Sequence, residues 1–387
     1  MGGIIKLDDE LRNLADAGGE QAQGGMAVPW TVFDGERRLL LRKGAPIPSA
    51  TPLRELLAQA VYRTRADGER PLRNEVHHAE QDDAKTTFFV IAELMARLNS
   101  LLRGIVNHQT ETILPSLDDL AIAIQALCAR DADAALAAIH LDPDGRYSVR
   151  HPMHCALLVE LVAYRLGYQP DQRKHFVAAA LTANVGMLEL QERLQRLGRI
   201  TALQRDEINQ HPEHSAALLR EAGVTDEDWL ETVLQHHERM DGGGYPRGWA
   251  GERIHPGARV LALADVYHAK ISERVSRPSM LPTQALRQMF LGQDKEVDQT
   301  MARVFIKELG VYPPGAFVRL HNGELAVVTH RGLDGVVPRV ASVISPRGSA
   351  YPRPLPRETT RREYAVQETA ERDESILVTD LLPLWAG

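Results

Sequence analysis

Residues 236–246 read His236-His237-Glu238-Arg239-Met240-Asp241-Gly242-Gly243-Gly244-Tyr245-Pro246. Two adjacent imidazoles, an acid, a base and a run of glycines make a stretch that could hold a metal ion. Neighbouring side chains on a helix diverge by about 100°. The pair therefore converges on one centre only near a helix end, or else serves two ions side by side. Asp241 to Gly244 break the helix and Pro246 closes the turn. Three further groups join the candidate ligands His236 and His237: His151, His211 and Asp265. A lone buried histidine is most often a hydrogen-bonded core residue, but five such groups at helix ends or inside apolar runs are harder to explain that way. Asp265 sits within Val260-Leu261-Ala262-Leu263-Ala264-Asp265-Val266, where an unpaired buried carboxylate is costly. A metal ion or a cationic partner offsets that cost.

The elements that must position these groups are helical. From His151 to about Arg277 the pattern is almost wholly helical, with His151-Pro152 and His211-Pro212 each reading as a helix start, because proline suits the first helical position. The continuations His151-Pro-Met-His154 and His211-Pro-Glu-His214 are too short a match for an internal repeat. Upstream, Ile91, Leu94, Met95, Leu98, Leu101, Leu102 and Ile105 form an apolar stripe of helical period. The stripe predicts a core-facing helix, with a homodimer seam as the sharper reading. A second helix is predicted from about Leu117 to Ile139, stopped at Leu141-Asp142-Pro143-Asp144-Gly145.

The ends read differently. Residues 1–25 are polar and glycine-rich and are expected to be loosely ordered. Ala27–Phe33 and Arg38–Arg42 flank the turn signal Asp34-Gly35, which predicts a hairpin; a short helix is expected around Pro52–Tyr62, and Glu69–Asp83 reads as a linker. Beyond Val311, Pro314–Leu320 and Leu325–Thr329 flank Asn322-Gly323 as a second hairpin, Val336–Ile344 supplies another strand, Tyr351–Arg372 reads as extended, and Ile376–Trp385 is expected to dock back on the body. The fold class is thus mainly α, an all-helical domain flanked by small β-rich N- and C-terminal elements. The expected boundaries are 1–80 for a β-containing region, 81–145 for a helical connector, 146–305 for the ligand-bearing helical domain and 306–387 for a β-rich region and tail.

Composition narrows the function. A net charge of −7 gives no basic field for a nucleic-acid polymer. Two cysteines, Cys128 and Cys155, are too few for a disulfide framework. No apolar run approaches transmembrane length and the N-terminus lacks the pattern of a signal peptide, so a cytoplasmic protein without a membrane partner is expected.

The helical half resembles an HD-GYP domain, a bacterial branch of the HD-superfamily metal-dependent phosphohydrolases. The resemblance rests on His211-Pro212-Glu213, on His236-His237-Glu238-Arg239 with Asp241-Gly242-Gly243-Gly244-Tyr245-Pro246, on Ala262-Leu263-Ala264-Asp265-Val266-Tyr267, and on the basic Arg274 and Arg277. It covers roughly residues 146–300. It implies an HD-type helical fold, a metal set drawn from His151, His211, His236, His237 and Asp265, and cyclic di-GMP as substrate. It further implies phosphate contacts from Arg274 and Arg277, and a signalling-protein surface at Gly244-Tyr245-Pro246.

The departures are as informative as the match. Where the family has its adjacent His-Asp pair and an Ile-Gly-Lys type triplet, this chain reads Ala183-Asn184-Val185-Gly186-Met187. Ala183, Asn184 and Met187 thus replace the family histidine, aspartate and lysine, so no residue is assigned a catalytic role. Tyr147 stands where a glutamate often precedes the first histidine, and His268 where an aspartate is expected. Alanine has no donor atom and an Asn amide is a neutral, weaker ligand than a carboxylate. The expected cofactor is therefore one divalent ion (iron, manganese or zinc) or none, with His154 and His268 as the remote candidates for replacement ligands. Three readings follow. The first is a catalytically degenerate HD-GYP protein acting as a cyclic-dinucleotide sensor or interaction module. The second is an active cyclic di-GMP phosphodiesterase with a non-standard metal site. The third is a helical scaffold without ligand.

Overall fold

The computed structural model describes residues 4–6, 32–34, 39–41, 60–64, 86–109, 113–141, 145–194, 200–273, 279–291, 296–332 and 335–385. The chain divides into two compact units, Met1–Asp83 and Ala84–Gly387.

In the first unit, β1 (Ile4–Lys6), β2 (Val32–Asp34), β3 (Leu39–Leu41) and β4 (Ala60–Thr64) form an antiparallel sheet in the order β1-β4-β2-β3. Phe33 faces Leu39 across the hairpin predicted at Asp34-Gly35. Two expectations are corrected here. Ile4–Lys6 is a strand inside the stretch expected to be loose, because it pairs with Tyr62–Thr64. Ala60–Tyr62 belongs to β4, which pairs on both sides, and is not the end of a helix. The rest of Pro52–Tyr62 and the linker Glu69–Asp83 lie outside the described residues.

The second unit carries α1 (Thr87–Val106), α2 (Ile113–Arg130), α3 (Ala132–Leu141), α4 (Tyr147–Arg165), α5 (Pro170–Thr182), α6 (Leu188–Leu194), α7 (Ala202–Glu221), α8 (Glu227–Gln235), α9 (Pro256–Ile271), α10 (Pro282–Phe290) and α11 (Gln299–Leu309). An antiparallel sheet follows, built of β5 (Phe317–Leu320), β6 (Leu325–His330), β7 (Arg339–Ile344), β8 (Ala350–Glu358) and β9 (Val366–Ala370) in the order β8-β7-β6-β5-β9, and then α12 (Val378–Leu381). Side-chain caps set several helix starts. Thr86 accepts from the Phe89 amide, Thr201 and Gln204 form a capping box, Asp226 caps α8 and Asp298 caps α11. Asp131 accepts from the Ala134 amide at 2.9 Å and so splits the predicted 117–139 helix into α2 and α3.

One large core runs through α1–α11. The α1 stripe is spent inside it, with Ile91, Leu94, Leu98, Leu102 and Ile105 buried, so its burial needs no second copy of the chain. α4 is buried from Tyr147 to Ala163 on nearly every face, and it packs against α5, α9 and α2. The sheet docks on α3: Gly315 (φ 84°) would place a Cβ 2.8 Å from the Ala137 carbonyl, and His140 contacts the Pro314 carbonyl at 2.7 Å. Arg331 bridges Asp133 of α3 and Glu308 of α11, and the Trp385 indole donates to the Thr329 carbonyl at 2.7 Å. Among the described residues, no helix is long and apolar enough to cross a membrane.

Candidate metal centre

Four helices bring the candidate ligands together. His151 lies on α4, His211 on α7, His236 and His237 follow α8, and Asp265 lies on α9. Both His-Pro pairs sit inside helices. Pro152 is in the second turn of α4 and Pro212 is at the middle of α7, so the reading of each as a helix start is corrected. A proline inside a helix has no N–H for the carbonyl four residues back. In α7 that carbonyl is Ile208 O, and the His211 Nδ1 lies 2.5 Å from it. The proline thus frees the acceptor that orients the histidine beside it. At the C-terminus of α8 the last carbonyls lack helical partners, and His236 Nδ1 takes Val233 O at 2.6 Å.

A carbonyl oxygen only accepts, so both Nδ1 atoms carry the proton and both Nε2 atoms present a lone pair. Those two Nε2 atoms face each other at 3.2 Å. Two facing lone pairs repel unless a cation lies on them. A proton is a poor candidate, because burial and the neighbouring His237 push the His211 pKa down to about 3, and burial holds His236 well below the usual imidazole range. Ligands on one tetrahedral ion with metal–nitrogen bonds of about 2.0–2.1 Å lie roughly 3.3 Å apart, close to the observed separation. The donor set fits a metal ion of the nitrogen-preferring kind. His237 completes this group: its ring lies 5.0 Å from that of His211, and a nitrogen of each of His211, His236 and His237 falls within 4.8 Å of the others.

The second group is His151, Cys155 and Asp265. Asp265 Oδ1 accepts from His151 Nε2 at 3.0 Å, and its Oδ2 lies 3.9 Å from His237 Nδ1, so this carboxylate stands between the two groups. Burial alone would raise the Asp265 pKa. The His151 hydrogen bond and the neighbouring imidazoles outweigh it and hold the carboxyl well below the usual carboxylate range. Behind His151 runs a relay of imidazoles. His151 Nδ1 meets His268 Nδ1 at 2.9 Å, and His268 Nε2 meets His154 Nδ1 at 3.0 Å. With Asp265 accepting from His151, each ring in turn donates toward the carboxylate, and His154 Nε2 is left buried with no hydrogen-bond partner. His154 and His268 therefore form this relay behind His151 and lie in neither of the two ligand groups. Tyr147 stacks on His151 (centroids 5.1 Å apart) with its hydroxyl 3.3 Å from Nδ1.

The glycine-rich turn acts as a wall. Glu238 accepts the amides of Arg247 (2.7 Å) and Trp249 (2.9 Å), and the Tyr245 amide donates to the His237 carbonyl at 3.1 Å. Any side chain at Gly244 would bring a Cβ to 2.5 Å from the Arg239 nitrogen and the His237 oxygen, so only glycine fits. Tyr245, followed by a cis peptide bond to Pro246, stacks on His237 with centroids 4.8 Å apart. Burial raises its phenol pKa well above the ordinary value.

Ala183 and Asn184 are buried where α5 ends, and the backbone there turns into a short 3-10 helix, Val185–Met187. The glycine between them and Met187 has a packing role. A Cβ on Gly186 would stand 2.7 Å from the Ser215 amide nitrogen and 3.0 Å from the His211 carbonyl. Arg274 and Arg277 lie outside the described residues. Cys155 was missed by the sequence reading, although it stands one helical turn beyond His151, as Tyr147 stands one turn before it.

The HD domain family model matches residues 134–301. The cyclic di-GMP phosphodiesterase PA4108 of Pseudomonas aeruginosa is 31% identical over 276 residues, covering 70% of this chain and 66% of that protein. The chain belongs to the HD-GYP domain family. The 3'3'-cGAMP-specific phosphodiesterase 1 of Vibrio cholerae is 30% identical over 148 residues, which is 38% of this HD-GYP chain and 34% of that enzyme. The chain thus spans about two thirds of the first relative and a third of the second. Among solved structures, Bd1817, a HDG"Y"P protein from Bdellovibrio bacteriovorus, is similar at 14% identity and a TM-score of 0.49, over 78% of this chain and 97% of that one.

Proposed function

We propose that this HD-GYP domain holds metal and recognises a cyclic dinucleotide of the cyclic di-GMP class, with hydrolysis weakened enough that it serves as a sensor or interaction module in dinucleotide signalling. The observation that carries this reading is the charge at the centre. Asp265 is the one carboxylate within the two ligand groups, while Ala183 and Asn184, which match the family His-Asp pair, are neutral. A bound divalent ion would neutralise phosphate charge and lower the pKa of its water towards ~7. His211, His236 and His237 supply its nitrogen donors, Asp265 orients His151, and Tyr245 covers the His237 face. Iron, manganese and zinc all suit imidazole with a carboxylate. The relatives' names, phosphodiesterases of cyclic di-GMP and of 3'3'-cGAMP, support a dinucleotide ligand. The exposed Arg247, stacked 4.9 Å over Trp249 beside Tyr245-Pro246, supports a signalling-protein contact at that turn.

An active phosphodiesterase is the second reading, favoured by Asp265 touching both groups, as a bridging carboxylate would. Calorimetry with cyclic di-GMP and with 3'3'-cGAMP, run beside a hydrolysis assay on anaerobically purified protein, separates the two. Binding with little or no turnover supports the sensor. Turnover comparable to an intact family member, abolished by His236→Ala, replaces it with the enzyme. Neither binding nor turnover leaves the helical scaffold.

A further inference from the structure

We propose that Cys155 is a thiolate ligand of the second metal position, making that position a nitrogen–sulfur–oxygen site that selects zinc, iron(II) or cobalt(II) over manganese and magnesium. The inference rests on the reading above that the centre holds metal. Cys155 lies on α4 one turn after His151, is buried, and has its Sγ 3.8 Å from both ring nitrogens of His151. Sγ, a His151 nitrogen and an Asp265 oxygen all fall within 4.8 Å of one another. Ligands of one tetrahedral ion with metal–sulfur bonds of about 2.3 Å and metal–nitrogen bonds of about 2.0 Å sit roughly 3.5 Å apart. The observed 3.8 Å sulfur–nitrogen and 3.0 Å nitrogen–oxygen separations bracket that figure.

A buried cysteine usually acts as a small hydrophobe, and Cys128 shows what that looks like here. Its Sγ meets only the Leu157 carbonyl, at 4.0 Å, and it belongs to neither ligand group. Cys155 differs in facing an imidazole and a carboxylate from two helices. Its chemistry answers the charge deficit left by Asn184. As the metal enters, the thiol proton leaves to solvent and the sulfur keeps the electron pair. The imidazole relay reverses its tautomers at the same time: His151 donates from Nδ1 to His268, His268 donates from Nε2 to His154, and His151 Nε2 presents its lone pair beside Asp265. The position then offers two anionic donors, thiolate and carboxylate, beside one imidazole. Thiolate is a soft donor that hard manganese and magnesium ions do not favour.

The test uses the full chain, stripped of metal, kept anaerobic and titrated with cobalt(II) alone. Thiolate bound to cobalt gives an intense charge-transfer band in the near ultraviolet. The expected result is that band in the wild-type protein, its loss in Cys155→Ser with one fewer cobalt bound per chain, and its retention in Cys128→Ser and His236→Ala. Cobalt bound to the wild type without the band overturns the assignment while leaving the metal reading intact, and so does a band that survives Cys155→Ser. Failure of the wild type to bind cobalt at all overturns both. The wild-type spectrum alone decides the matter if the serine variant misfolds.

Discussion

Gly186→Ala probes the glycine that follows Ala183 and Asn184. The backbone at Gly186 does not lie in the left-handed region, so alanine is conformationally allowed there; what excludes it is space. The added methyl would sit 2.7 Å from the Ser215 nitrogen, 2.8 Å from His214 Cβ and 3.0 Å from the His211 carbonyl, against about 3.4 Å for ordinary contact. Backbone cannot rotate away, so α7 must retreat by about 0.7 Å at Ser215 and 0.4 Å at His211. The retreat also strains the 2.9 Å bond from the Gly186 amide to Ser215 Oγ. Overpacking of this kind costs about 1–3 kcal/mol, and the alanine returns ~0.4–1 kcal/mol through the unfolded chain. A net loss of about 1–2 kcal/mol is expected in urea unfolding. The larger effect falls on the site. Metal ligands are held to within about 0.2 Å, so a shift of 0.4 Å at His211 loosens its shared position with His236 and metal content drops while helical circular dichroism is retained. A variant with wild-type stability and wild-type metal content would refute this account of Gly186.

Two further perturbations probe other parts of the molecule. Burial lowers the His140 pKa from 6.5 to about 4 in the folded protein. The unfolded chain therefore takes up a proton near pH 6.5 that the folded one resists. His140's contribution to stability is full above pH 6.5 and is lost as pH falls towards 4, at about 1.4 kcal/mol per unit, or ~2 kcal/mol by pH 5. Urea midpoints of metal-stripped protein between pH 5 and 7 should carry this contribution on top of that from the other buried histidines, His154, His211, His236 and His237. His140→Asn should reduce the slope by about one proton's worth, and an unchanged slope in the variant removes His140 from the explanation. Ala183→His with Asn184→Asp should raise metal content per chain, measured by elemental analysis, by restoring an imidazole and a carboxylate. Flat content in the folded double variant would mean that residues 183 and 184 do not match the family pair.

Much of the candidate site was legible because its residues are polar groups at expected helix ends or inside apolar runs. His151, His211, His236, His237 and Asp265 stand out in that way, with a burial cost argued for Asp265, and the structure brings all five to one place. What the sequence hid were contacts between elements distant along the chain. The His151–His268 pairing joins residues 117 apart and has no local signature. Cys155 was overlooked although the helical spacing from His151 was available. The two His-Pro pairs misled because proline is commonest at helix starts, whereas here the freed Ile208 carbonyl serves His211. The break between α2 and α3 was readable in retrospect from Asp131, a capping residue inside an otherwise continuous pattern. The strands Ile4–Lys6 and Ala60–Thr64 define each other by pairing, and neither segment alone carries enough alternation to reveal it.

Whether the facing Nε2 atoms of His211 and His236 hold a metal ion is read from elemental analysis of the anaerobically purified chain. At least one transition-metal ion per chain is expected in the wild type, with a loss of one in His236→Ala. A wild-type protein that arrives without metal, and stays without it after incubation with iron(II), manganese(II) and zinc(II), would mean that the two imidazoles face each other for another reason.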